Sequence, residues 1–105
     1  MKHANINLTQ NEDLNRFELH VEDGIAFVEY KLSDTGLFLT HTEVPEALEG
    51  KGVGSAIVSK TFEYAKENGY RVVPLCSFIQ TYLKRHPEWN DIIDTNDERP
   101  YLKNR

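Results

Sequence analysis

Sulfur is scarce in this chain: one cysteine, Cys76, and one methionine. No disulfide can form within it, and a lone thiol suits a reducing compartment. Cations are in deficit, with 12 Lys and Arg against 17 Asp and Glu and a formal charge of -5. Sequence-blind binding to a phosphate backbone needs clustered cations, and Lys51 and Lys84-Arg85 are too sparse to make a stripe, so nucleic acid is excluded as the partner. Long apolar runs are missing too. None approaches the ~18 residues of a membrane span, and the opening Met1-Lys2-His3-Ala4-Asn5-Ile6-Asn7 has no apolar stretch of the secretory kind. Neither a repeat period nor a low-complexity tract is present. What remains is 105 residues, 39% hydrophobic and 10% aromatic, enough for one small core rather than a disordered acidic segment. The expectation is a single cytoplasmic domain over residues 1–105, its ordered core at about 14–93.

The first ten residues carry no period and read as a loose lead-in. From Arg16 the pattern alternates, with Phe17, Leu19 and Val21 on one face and Glu18, His20 and Glu22 on the other. Asp23-Gly24 then predicts a tight hairpin turn. The return strand runs from Ile25 to Leu32, with Ala26, Val28, Tyr30 and Leu32 on one face. Ser33-Asp34-Thr35-Gly36 turns the chain again, and Leu37 to Val44 reads as a third strand. At Pro45 the period changes. A loop reaches Gly54, overlapping a helical stripe of Val53, Ile57, Thr61, Phe62 and Ala65 that Asn68-Gly69 closes. Tyr70 to Leu75 predicts a short strand buried on both faces, parallel to the third through the intervening helix. A second helix is expected from Ser77 to about Arg85, stopping before Pro87, with a loose tail from Asp94. The fold class is therefore a mixed α/β sheet of four or five strands with two helices: an antiparallel meander followed by a β-α-β unit.

Between third strand and first helix lies Glu49-Gly50-Lys51-Gly52-Val53-Gly54-Ser55. Alternating glycines let the backbone approach a ligand closely, and the helix adds free N–H groups and the positive end of its dipole. The combination favours a phosphate or pyrophosphate; the plainer reading is a flexible turn. Two nucleotide motifs fail here. A Walker loop would need a glycine where Pro45 stands and a hydroxyl residue where Gly52 stands. A dinucleotide fingerprint would need glycine at Ser55 and an acidic residue among Tyr70, Arg71, Val72 and Val73.

The order of elements and the loop Gly50-Lys51-Gly52-Val53-Gly54 resemble the GNAT acetyltransferase superfamily, and most closely its compact, single-domain branch. The residues that carry the likeness are His41-Thr42-Glu43-Val44, Gly50 to Ser55, Pro74-Leu75-Cys76-Ser77-Phe78 and Arg85-His86-Pro87-Glu88-Trp89, spread from about Arg16 to Ile93. The resemblance implies acetyl-CoA as cofactor and an amine as acceptor. Gly50, Lys51, Gly52, Val53, Gly54 and Ser55 would hold the pyrophosphate, and the edge of Thr42, Glu43 and Val44 would pair with the pantetheine arm. The acyl group would lie near Cys76. One departure is Glu49, where the superfamily usually has arginine or glutamine. Another is the lack of the extra helices and strands that commonly shape an acceptor pocket. A non-catalytic acyl-CoA-binding or sensing module is the alternative that the same loop allows.

Cys76 is the candidate nucleophile, because a thiol at a helix N-terminus can be activated and could carry an acetyl group to an amine. Its plainer reading is a small buried hydrophobe. His41 and Glu43 share a strand face and read first as polar residues of a half-exposed sheet, although a base there would suit an amine acceptor. His3 and His20 read as surface residues, His86 as a helix-end residue and Trp89 as a plug for the core. The resemblance implies a catalytic tyrosine in the last helix of larger relatives, but here that position falls nearer Leu83 than Tyr82, which speaks against Tyr82 as a general acid. No histidine pair has zinc spacing, so no metal is expected.

Overall fold

Alternation of period two in three consecutive segments builds three antiparallel strands, and their order follows from short links. The computed structural model describes residues 5–22 and 24–94. Strands β1 (Thr9–Asn11), β2 (Arg16–Val21), β3 (Gly24–Ser33), β4 (Gly36–Glu43) and β5 (Val72–Pro74) form one sheet in sequence order. Pairing is antiparallel from β1 to β4 and parallel between β4 and β5. Helix α1 (Val53–Glu67) makes the crossover, and α2 (Ser77–Arg85) follows β5. Short 3-10 turns occupy Glu46–Leu48 and Pro87–Ile92.

The core lies between the sheet and the helices. Phe17, Leu19, Ala26, Val28, Tyr30, Leu37 and Leu39 supply the sheet side. The predicted stripe of α1 is fully buried, joined by Ala56 and Val58. Phe62 stands at the centre, with Tyr82 and Trp89 edge-on to it at 5.7 and 5.5 Å between ring centres. Trp89 is thus the expected plug, and Tyr82 belongs to the core, its ring stacked on His86 at 4.1 Å. Gly69 ends α1 with φ of 72°, as the C-terminal glycine rule requires.

Five expectations need correction. The lead-in contains β1, whose polar Thr9-Gln10-Asn11 offers no hydrophobic alternation. It is held by the ladder and by Gln10, whose amide donates to Tyr30 Oη at 2.9 Å and accepts from Tyr64 Oη at 3.2 Å. Gly24 is not a residue of the first hairpin turn but opens β3, because it pairs with Val21; Asp23 lies outside the described residues. Gly24 serves close packing instead, since a β-carbon there would stand 3.2 Å from Pro45 Cγ. Leu32 is 47% exposed: its cross-strand partner Leu37 is covered by the neighbouring β5, and Leu32 has no such cover. The last strand is only Val72–Pro74, because Tyr70 N–H is spent on Ala65 at the end of α1.

Asp94, the expected start of a loose tail, is instead held against β5. Asp94 N–H donates to Val72 O at 2.8 Å, and Ile93 bridges to Val72; residues 95–105, with Tyr101, lie outside the described residues, as does His3.

Candidate functional site

The decisive local feature is one extra residue in β4. Glu29 pairs with His41 but Tyr30 pairs with Leu39, so Thr40 is unmatched and forms a bulge. A bulge exchanges the two faces of the strand beyond it. Leu37 and Leu39 point to the helices, and past the bulge Thr42 and Val44 take that side. His41 and Glu43 turn to the helix-free face, hydrogen-bonded to each other at 2.9 Å, with the His41 ring 6.3 Å from that of Phe27. They are exposed, as the plainer reading had it.

Pairing of β4 with β5 ends at Leu39 and Pro74, with one further bond from Leu75 N–H to Leu39 O at 3.0 Å. Beyond it β4 continues to Glu43 while the other chain turns into α2, so the edge from Thr40 onward has no strand beside it on that side. Cys76 sits at this break as the N-cap residue of α2, 8% exposed. Its thiol does not cap the helix. Sγ donates instead to Thr42 Oγ1 at 3.5 Å, across the opening.

A cleft of about 430 Å³ adjoins the break on the helix side, lined by Val44, Leu48, Glu49, Gly50, Gly52, Val53, Gly54, Ser55 and Phe78. Gly50 and Gly52 have φ of 79° and 80°, and nothing lies within 4 Å of a β-carbon built on either. Both hold left-handed backbone, and both leave their main chain open to the cleft. Gly52 caps α1 without a side-chain hydrogen bond, and no acidic residue occupies the first turn. The leading amides of α1 therefore keep their donors for a ligand. Gly54 has another reason for its missing side chain: a β-carbon there would lie 2.6 Å from Phe78 Cζ.

Of the expected site residues, Val44, Gly50, Gly52, Val53, Gly54 and Ser55 line one cleft, and Thr42 and Cys76 meet beside it. Lys51 is in the loop but does not line the cleft, and Glu43 faces the opposite side. Leu48, Glu49 and Phe78 complete the walls without having been assigned there. Phe78 is the informative omission: an aromatic two residues after the thiol, 43% exposed on a helix whose Ile79 is fully buried, shows the pattern of a wall rather than of a core residue. Among the described residues no group of His, Cys, Asp and Glu is arranged to hold a metal ion, and no helix is long and apolar enough to cross a membrane.

Known proteins resemble this chain in sequence and in fold. The family described as GCN5-related N-acetyl-transferase matches residues 16–92. The solution structure of a GCN5-like protein from Staphylococcus aureus is similar with a TM-score of 0.66 and 25% identity, over 92% of this chain and 96% of that one. Protein NATD1 of Homo sapiens and of Xenopus tropicalis are each 33% identical to it over 49 residues, 47% of this chain. The chain spans only 43% and 45% of those two relatives.

Proposed function

The chain belongs to the GCN5-related N-acetyltransferase family, and from that premise we propose that it binds acetyl-CoA in the glycine-loop cleft and transfers the acetyl group to an amine by way of Cys76. The observation that carries this reading is the meeting of three features at one strand break: an uncapped helix N-terminus over open glycines, an unpaired β4 edge, and a thiol. The residues present fit the cofactor. Backbone N–H groups of Gly52 to Ser55 suit a pyrophosphate, and the edge of Thr42, Glu43 and Val44 suits an amide-bearing arm. The bound cofactor supplies an acetyl group as a thioester.

With the cofactor bound, Cys76 Sγ would form the bond to the thioester's carbonyl carbon as that carbon's bond to the cofactor sulfur gives way, and the thiol proton would pass to the released sulfur. An amine nitrogen then bonds to the same carbon. The bond from that carbon to Cys76 Sγ would break, and a proton from the amine would return to Sγ. Thr42 Oγ1 is the acceptor of the thiol hydrogen in the resting protein, and its own hydroxyl can turn to donate to a thiolate.

The test is an amide NMR titration with acetyl-CoA and ATP as competing ligand, followed by mass spectrometry for an acetyl group on Cys76. Saturable shifts centred on Val44, Gly50 to Ser55 and Cys76 are expected with acetyl-CoA alone. Gly52→Ala and Gly52→Glu both strain a positive φ, costing ~1–2 kcal/mol of stability, so their difference isolates bulk and charge. Gly52→Glu is expected to bind at least ~10-fold more weakly than Gly52→Ala, about 1.4 kcal/mol. Equal affinities would overturn the placement of the pyrophosphate. Binding without acetyl-Cys76 or turnover on amines would leave a cofactor-binding module and end the enzyme reading.

A further inference from the structure

The sheet has a second recess, on the face that carries His41 and Glu43. A groove of about 350 Å³ crosses it, lined by Lys31, Ser33, Phe38, Thr40 and Leu75. Thr40 and Leu75 flank the point where β4 and the chain after β5 diverge, so one end of the groove opens at the break beside Cys76. The other end is set by the cross-strand pair Lys31 and Phe38, two residues or ~7 Å down the ladder at the rise of a strand. Phe38 and Leu75 give the walls a largely carbon surface. Lys31 is exposed, and its ammonium forms no ion pair or hydrogen bond with any described residue. Glu29 stands on the same strand face one pleat nearer the break, opposite His41. The recess therefore has a cation with no partner among the described residues at its far end and carbon walls toward the break, while Glu29 stands outside its lining.

We propose that this groove is the acceptor site and that its occupant is a small amine with an apolar body and a carboxylate. The carboxylate lies on Lys31, the carbon body on Phe38 and Leu75, and the amine toward Thr40 and the break. A bare polyamine would meet Lys31 as a like charge, which argues against that class. The inference rests on the acetyl-transfer reading for its chemistry, but binding in the groove needs no cofactor and is tested apart from it.

Two matched probe pairs separate charge from shape: phenylalanine with phenethylamine, and aminocaproate with hexylamine. Amide shifts are followed first in the protein alone and then with acetyl-CoA. Both acids are expected to shift Lys31, Phe38, Thr40 and Leu75 saturably and to bind ~5-fold more tightly than their decarboxylated partners, the scale of one solvent-facing ion pair. Lys31→Glu is expected to reverse that preference, with circular dichroism and the response of Gly50 to Ser55 to acetyl-CoA unchanged. Equal or tighter binding of the simple amines, shifts centred elsewhere, or no saturable shift from either acid would overturn the proposal. Acids that bind here in a protein whose glycine loop ignores acetyl-CoA would keep the groove and refute the transfer reading. The converse pattern refutes the groove alone.

Discussion

Glu18 shows how the helix-free face is stabilised one residue at a time. Its carboxylate is only 5% exposed, yet it lies on the side of β2 that no helix covers. Side chains do the shielding: Arg16 Nε at 2.6 Å, His20 Nε2 at 2.8 Å and Asn11 Nδ2 at 3.1 Å all hold its oxygens. The Arg16 guanidinium sits 4.2 Å from the Phe27 ring centre, so the cation is fixed from a second direction. The hydrogen bond from Arg16 is the main cause that lowers the Glu18 pKa from 4.5 to about 2, against the opposing effect of burial. A carboxyl depressed on folding stabilises the protein above its unfolded pKa and loses that contribution as pH falls through the folded value. The Glu18 contribution is therefore complete above about pH 4.5 and lost toward pH 2. Water borders the cluster and screens its charges, so Glu18→Gln is expected to cost ~1–2 kcal/mol at neutral pH. Urea melts across that acid window should show the wild-type advantage shrinking to nothing as pH falls. An advantage independent of pH would assign the stability to packing, not to charge.

The β4 bulge is the element on which the site depends. Deleting Thr40 restores continuous pairing and leaves every other residue on its present face, with Leu39 inward and His41 outward as direct neighbours. What the deletion removes is the bend that the extra residue gives β4. The denaturation midpoint is therefore expected to change little, while alkylation of Cys76 should quicken as the straightened strand withdraws Thr42 from its thiol. Unchanged reactivity would show that the bend is incidental to the site. The bulge also marks the limit of what the sequence reveals. Strand alternation, the α1 stripe, Asn68-Gly69 and the glycine loop could all be read because each is a local pattern with a local cause. An unmatched residue in a ladder has no such signature in Leu37-Phe38-Leu39-Thr40-His41-Thr42, since it exists only relative to β3. For the same reason Cys76 and its helix were legible, while the bond from its thiol to Thr42, 34 positions away, was not. Polar β1 was hidden too, being held by tertiary bonds rather than by apolar period.

At the scale of the molecule, β5 depends on the segment that returns after α2. Only Val72–Pro74 pair with β4, and short parallel ladders are weakly held on their own. The returning chain covers the free side: Ile92 and Ile93 are buried, Ile93 bridges to Val72, and Asp94 N–H bonds to Val72 O. Arg71 fastens this return, donating Nη1 to Asp91 O at 2.8 Å and Nη2 to Ile93 O at 3.0 Å. The site inherits the arrangement, because β5 leads directly into Leu75 and Cys76. Arg71→Ala removes both charge-assisted bonds while sparing the backbone bond from Leu37 N–H to Arg71 O. We expect ~1–2 kcal/mol of local destabilisation, at the lower end for such bonds because the guanidinium borders water. Hydrogen exchange separates this from a general loss of stability. Amides of Ile93 and Asp94 should exchange ~10-fold faster or more at 1.4 kcal/mol per decade, while those of the α1 interior keep their wild-type rates. If α1 accelerates by the same factor, the returning segment is no separate latch and unfolds only together with the helix and the sheet.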